Sequence, residues 1–245
     1  MAQPVRFQAT VQQLIRHAPD VVTLQLYAAR RLPRFIPGQF VHLTVDDFDP
    51  ASFWPESRVF SVANAVADRR SVQLTISRQG VYTGRIIDGL EHGDSVWCKG
   101  PYGDFVVDGS HGYRRAVLIA GGTGVTPFGA FLDAALTSGK LPVDEAALYY
   151  GAQTEELLIY RAMADACAEN VRGFRVRYFS DVAPPTGSNA IQHGRLDIAA
   201  ILAEQPDIPG TAFFLSGPKP MIDAFRAHLL GHGLKPSQVL VDAWE

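Results

Sequence analysis

The sequence predicts a β domain followed by an α/β domain. Up to about Val107 the chain reads as six short alternating or β-rich runs, whereas from Arg114 onward strand-like and helix-like segments alternate. At the head of the second part, Gly121-Gly122-Thr123-Gly124 joins an apolar strand to an apolar-periodic helix. Six short strands at this spacing suggest a small antiparallel barrel or sandwich. Strand–helix alternation calls for a parallel sheet covered by helices. The turn at Asp108 to Gly112 divides the chain into residues 1–110 and 111–245.

In order, the first six runs are FQATVQQLI, VVTLQLYA, QFVHLTV, SRVFSVA, SVQLTIS and DSVWCKG. Pro37-Gly38, Asp68, Gly89, Gly93-Asp94 and Gly103-Asp104 punctuate them, as turn chemistry requires. One helix-compatible segment, Tyr82 to Leu90, interrupts the series. The second part reads AVLIAG then PFGAFLDAAL, AALYYGA then LLIYRAMADACAE, FRVRYFSD then GRLDIAAILAE, and TAFFLSG then MIDAFRAHLLGH. It closes on VLVDAW, whose VLVDA reads as a central strand.

Composition bounds the function. With 245 residues, 47% of them hydrophobic and 19% charged, the chain can bury a sizeable core in one large or two ordinary domains. A net charge of −3 with no basic run points to neither nucleic acid nor an anionic membrane surface. The start, MAQPVRFQATV, lacks an apolar signal-peptide core, and no stretch approaches the ~18 apolar residues of a membrane span. The expectation is a soluble, cytoplasmic protein. Cys98 and Cys167 form no CxxC pair and read as small buried hydrophobes. His228 and His232 have the i, i+4 spacing of helical metal ligands but no third ligand, and read as the end of a helix before Gly233. No metal is expected.

The glycine turn lets a backbone approach a ligand closely and opens a helix with unpaired N–H groups, so a pyrophosphate is its natural guest. Pro127 stands where the usual dinucleotide fingerprint has its last glycine, and alone the turn suits a nucleotide or a plain connection equally. In the β domain, RVFS places Arg58 and Phe60 on one strand face and Val59 and Ser61 on the other. SRQGVYTGRI, Ser77 to Ile86, has a glycine and a hydroxyl residue at a helix start, and GPYGDF, Gly100 to Phe105, adds a glycine turn. Singly, Arg58 reads as a rim charge and Phe60 as core.

Taken in register, RVFS (for R-x-Y-S), GVYTGRI, GPYGDF (for G-P-x-G), GGTGVTP and LSGPKPM (for C-G-P-x-x-M) resemble the motifs of the ferredoxin–NADP reductase superfamily over nearly the whole length. The resemblance implies a six-stranded antiparallel flavin-binding barrel and a parallel-sheet NAD(P)-binding domain, with FAD or FMN as cofactor and NADH or NADPH as substrate. It implies that Arg58 binds a flavin phosphate, Phe60 lies against the isoalloxazine in place of a tyrosine, and Ser61 sits near flavin N5. Arg78, with the backbone from Gly80 to Thr83, holds the phosphate end, and Val59, Ile76 and Tyr82 complete the flavin set. In the second domain, Gly121, Gly122, Thr123 and Gly124 cradle the pyrophosphate, Thr126 and Pro127 border the nicotinamide, and Gly217, Pro218 and Met221 keep the second motif. Ser216 replaces the family's reactive-site cysteine, Trp244 covers the other flavin face, and Asp242 lies close to the redox site. Together Ser61, Ser216, Asp242 and Trp244 form the implied catalytic group.

Asp181 stands where NADP-dependent relatives carry basic or hydroxyl residues, which favours NADH, because a carboxylate repels a phosphate yet accepts hydrogen bonds from a ribose diol. Its alternative is a turn residue before Pro184-Pro185. No ferredoxin-like C-x4-C-x2-C spacing is present, so the expected acceptor is external: a ferredoxin, a flavodoxin, an oxygenase or cytochrome component, or free flavin. Arg30, Arg31 and Arg34 are the dense candidates for docking an acidic partner, or are solvated loop charges. A subunit that binds flavin or nucleotide without turnover is the reading from another class.

Overall fold

In the computed structural model residues 3–183 and 190–242 are described. They divide into two compact units between Val106 and Val107. The first unit holds β1 (Val5–Ala18), β2 (Val21–Ala28), β3 (Phe40–Thr44), β4 (Arg58–Ser61), β5 (Ser71–Ser77), α1 (Val81–Gly89) and β6 (Ser95–Tyr102). All six runs read as strands are strands, and the interrupting helix is α1. The sheet order is β4-β3-β6-β1-β2-β5, antiparallel throughout. A bridge between Val62 and Leu74 joins its two outer strands and brings the barrel close to closure.

Alternation explains the packing. Val22, Leu24 and Leu26 of β2 and Val72, Leu74 and Ile76 of β5 point inward and are fully buried, as are Val41 and Leu43 of β3. The helix α1 contributes Tyr82, Ile86 and Ile87 to this core. On the other face of β2 and β5, the paired Thr23 and Thr75 share a hydrogen bond of 2.8 Å, and His17 extends it to Thr23 at 2.8 Å. Among the described residues no helix is long and apolar enough to cross a membrane.

The second unit contains β7 (Arg115–Gly121), α2 (Thr126–Ser138), β8 (Glu145–Ala152), α3 (Arg161–Asn170), β9 (Phe174–Ser180), β10 (Ile191–His193), α4 (Ile198–Ala203), β11 (Thr211–Ser216), α5 (Lys219–Gly231) and β12 (Val239–Val241). Its sheet order is β10-β9-β8-β7-β11-β12, parallel throughout. Two features depart from the sequence reading. Ile191–His193 is a strand of three residues, too short to show alternation. And β12, read as central, is an edge strand: its apolar run covers one neighbour, β11, and leaves Leu240 and Val241 half-buried. The order nevertheless places β7 and β11 side by side at the middle of the sheet, so the loops at their carboxyl ends meet.

Burial depresses the pKa of His17 below its ordinary 6.5, and the same desolvation, with Lys99, depresses His42. The unfolded chain therefore binds these protons more readily, and stability falls as pH drops through about 6.5. Thermal unfolding followed from pH 8 to pH 5 is expected to show a falling Tm, with a shallower fall in His17→Gln. An unchanged slope in that variant removes His17 from the dependence.

Candidate functional site

In the barrel, β4 pairs with β3 so that Arg58 lies opposite Leu43, Phe60 opposite Val41 and Ser61 opposite Phe40. Arg58 and Phe60 thus share one face, where the half-buried Phe60 ring packs on the barrel core, while Val59 and Ser61 take the other. The guanidinium of Arg58 lies 4.6 Å from the centre of the Tyr82 ring, in the first turn of α1. That tyrosine is buried and fixed, its hydroxyl donating to the Glu56 carbonyl at 2.9 Å and accepting from the Val45 amide at 3.3 Å. Packing of Tyr82 therefore brings Arg58 to the start of the helix. Arg58 donates to Glu56 at 2.8 Å, an exposed pair of the kind worth about 0–1 kcal/mol and readily exchanged for a phosphate.

The start of α1 is organised by Thr83, whose hydroxyl accepts from the Gln79 and Gly80 amides at 2.8 and 3.2 Å. Its oxygen is thus occupied with capping, and the amides of the first turn are the groups left for an anion. A Cβ on Gly80 would meet nothing within 4 Å, so this approach is open. An open groove of about 880 Å³ runs past it, lined by Val45, Gly80, Gly84, Arg85 and Asp88 among others. Arg78 plays another part than phosphate ligand here. It grips Asp88 through both terminal nitrogens, at 2.7 and 3.0 Å, and Asp20 through Nε at 2.7 Å. Those bonds raise the Arg78 pKa and lower that of Asp88, and they brace α1 against the β1–β2 turn. Ile76 is core, so only its backbone can face a ligand.

The second unit builds its site from two loops. After β7 the chain enters a short 3-10 turn, Gly122–Val125, with Gly122 at φ 56°, and passes into α2 with Pro127 in the first turn. Thr126 donates to the Thr123 carbonyl at 2.6 Å and closes that turn. The loop after β11 lies directly against it. A Cβ on Gly124 would fall 2.5 Å from the Cα and N of Gly217, and one on Gly121 would fall 2.9 Å from Pro218 and Met221. Gly217 itself adopts φ 149°, where a side chain is disfavoured. Just before it, the buried Ser216 donates to Asp242 Oδ2 at 3.0 Å, and the Asp242 amide donates to Leu215 O at 2.9 Å. The hydroxyl and carboxylate expected near the redox site are thus joined at the carboxyl ends of β11 and β12.

Asp181 follows β9 at the same end of the sheet. Its carboxylate meets Arg195 Nε at 3.3 Å, and its carbonyl meets His193 Nε2 at 3.2 Å. Trp244, and Pro184 and Pro185 after Asp181, lie outside the described residues. Three partners escaped sequence reasoning: Glu56 and Tyr82 as the supports of Arg58, and Arg195 as the mate of Asp181. The first two carried no signal beyond proximity to RVFS and GVYTG, and Arg195 none at all. Both cysteines are buried, Cys98 with its pKa raised and Cys167 pushed up to about 11 by desolvation. His228 and His232 stack at 4.1 Å at the end of α5, and no group of three metal-type ligands occurs among the described residues.

Residues 118–227 match the family described as Oxidoreductase NAD-binding domain. Over 235 residues the chain is 30% identical to the reductase component of a propane 2-monooxygenase from Rhodococcus jostii, covering 91% of this chain and 59% of that protein. The chain spans about six tenths of the length of such curated relatives. A cytochrome P450 reductase from Amycolatopsis superposes with a TM-score of 0.81 at 28% identity, over 99% of this chain and 70% of that one. A ferredoxin NADP+ reductase from Neisseria gonorrhoeae with bound FAD and NADP shares the fold at a TM-score of 0.75 and 18% identity, over 99% of each chain. With five motifs in order, a barrel followed by a parallel sheet, and these likenesses, the chain belongs to the ferredoxin–NADP reductase-like superfamily.

Proposed function

We propose that the chain is an NADH-preferring flavoprotein reductase that passes electrons through bound FAD to an external redox protein of the oxygenase-component type. The observation that carries this reading is the interlock of Gly121 and Gly124 with the loop at Gly217, an open backbone cradle at the carboxyl ends of adjacent parallel strands. The reductase components among its relatives support the reading, and so does the exchangeable Arg58 beside the open start of α1. Flavin, when bound, supplies a ring nitrogen that takes a hydride and releases its electrons singly or in pairs.

The chain's own residues bind and orient. Arg58 and the first-turn amides of α1 take the flavin phosphate, and Phe60 and Ser61 line the ring from β4. The Gly122–Gly124 backbone takes the nucleotide pyrophosphate, with Thr126 fixing the turn and Pro127 starting the helix behind it. Ser216, held by Asp242, offers a fixed hydroxyl where the family has a thiol. Asp181, steadied by Arg195, accepts from the ribose diol. No acid–base residue is required for direct hydride transfer, so positioning carries the rate.

The deciding experiment is to purify the protein, release and identify its flavin, and mix it anaerobically with NADH and then with a panel of acceptors. Rapid bleaching followed by acceptor reduction is expected. A yellow protein that NADH fails to bleach is a binding subunit. Steady-state kcat/KM is expected to favour NADH over NADPH by about tenfold or more, and Asp181→Ser to reduce that ratio about tenfold; equal efficiencies in the wild type refute the assignment. Gly124→Ala, which drives a Cβ into Gly217, is expected to lower NADH oxidation about tenfold or more with flavin affinity within about twofold, read by stopped flow and flavin titration. Arg58→Ala is expected to do the reverse, raising the flavin Kd about tenfold.

A further inference from the structure

Arginines across the molecule are matched with carboxylates: Arg58 with Glu56, Arg78 with Asp20 and Asp88, Arg85 with Asp46, Arg115 with Glu145 and Asp207, Arg161 with Asp165. One group departs from this rule. Arg30, Arg31, Arg34, Arg69 and Arg70 take part in no ion pair among the described residues.

They are gathered by their own backbone bonds. The loop after β2 and the turn before β5 are stitched together by Leu32 N to Arg69 O at 2.8 Å, Arg69 Nε to Leu32 O at 2.7 Å and Ala28 N to Arg70 O at 2.9 Å. Arg30, Arg31 and Arg34 project from the first segment as exposed residues. Both segments carry a single acid, Asp68, and its carboxylate is committed to the turn. It accepts from the Arg70 amide at 2.8 Å, the Ser71 amide at 2.8 Å and the Ser71 hydroxyl at 2.6 Å. The turn holds Val66 and Arg69 in the left-handed region, at φ 49° and 59°, a conformation that β-branched and long side chains rarely adopt. Tyr27, 40% exposed, lies beneath Arg70 at 5.6 Å and puts an aromatic ring among the guanidiniums.

We propose that these five arginines, with Tyr27 among them, form the docking surface for an acidic protein partner. This identification of the partner's chemistry rests on the reductase reading above. Guanidinium forks match carboxylate pairs, and Tyr with Arg is the composition favoured at the centre of protein interfaces. A nucleic acid would call for a longer basic stripe on a basic chain, whereas this patch occupies two loops of a protein with net charge −3. Its place suits electron delivery. The first segment runs through Gln39, which accepts from Val62 at 2.9 Å, into Phe40 opposite Ser61, and the second follows directly on β4.

The flavin-loaded chain is titrated calorimetrically with an acidic [2Fe–2S] ferredoxin, then assayed with NADH against that ferredoxin, ferricyanide and basic cytochrome c. Binding of the ferredoxin is expected to weaken as salt rises from about 50 to about 200 mM. The double variant R31E/R34E is expected to raise its Kd about tenfold or more, and R31Q/R34Q to give a smaller loss in the same direction. Ferricyanide reduction is expected to stay within about twofold, and cytochrome c reduction not to fall. An unchanged Kd in R31E/R34E, or no salt-dependent binding by the wild type, overturns the proposal, as does arginine-dependent binding of heparin without binding of the ferredoxin. Failure of NADH to reduce ferricyanide in the wild type marks instead the failure of the reductase reading, because that small acceptor needs no docking surface.

Discussion

Gly124 lies against Gly217 at a distance that leaves no room for a single methyl group on the former. Much of the α/β unit can be understood as a consequence. Two loops can approach this closely only if the strands feeding them are neighbours, and β7 and β11 pair in parallel up to Ala120 and Ser216. The crossovers through α2 to β8 and onward must then fill the other side of β7, which yields the observed sheet order. Met221 and Pro218 close over Gly121 from the start of α5, so the same contact sets where that helix begins. The result is a cradle of backbone whose shape owes nothing to flexible side chains.

The barrel reaches a comparable end by charge and aromatic packing. Tyr82 belongs at once to the core and to the first turn of α1, and its ring carries the Arg58 guanidinium. Arg78 and Asp88 hold the far side of the same helix in a bidentate grip. One arginine is therefore structural and the other exchangeable, although both stand beside one helix. Their difference lies in their mates: two carboxylates fixed by the fold for Arg78, and one exposed glutamate close in sequence for Arg58.

Most of the architecture was legible because the hydrophobic period changes so plainly near residue 110. Every strand of the barrel and its helix follow from alternation and turn residues, and Pro127 and Gly139 bracket α2 as propensity rules require. What could not be read is instructive. Ile191–His193 has too few residues to show a period, and the edge position of β12 follows from partners distant in sequence. The glycine loops were legible as motifs, but their mutual contact was not, since nothing local links Gly124 to Gly217. For the same reason the sequence offered Arg78 to a phosphate; Asp20 lies far from it along the chain and at 2.7 Å in space. The Thr83 hydroxyl, also offered to a phosphate, is held by its own helix cap.

The buried thiols bear on how such a chain survives its own chemistry. Cys98 and Cys167 are enclosed and held in the neutral form, and the position at which kindred proteins expose a sulfur is occupied by Ser216. Oxidation of cysteine proceeds from the exposed thiolate, so the described residues present no ready foothold for peroxide or for mixed disulfides. A machine that handles reducing equivalents beside dioxygen would on this account tolerate its own by-products, and alkylating reagents would find little to attack while the fold is intact.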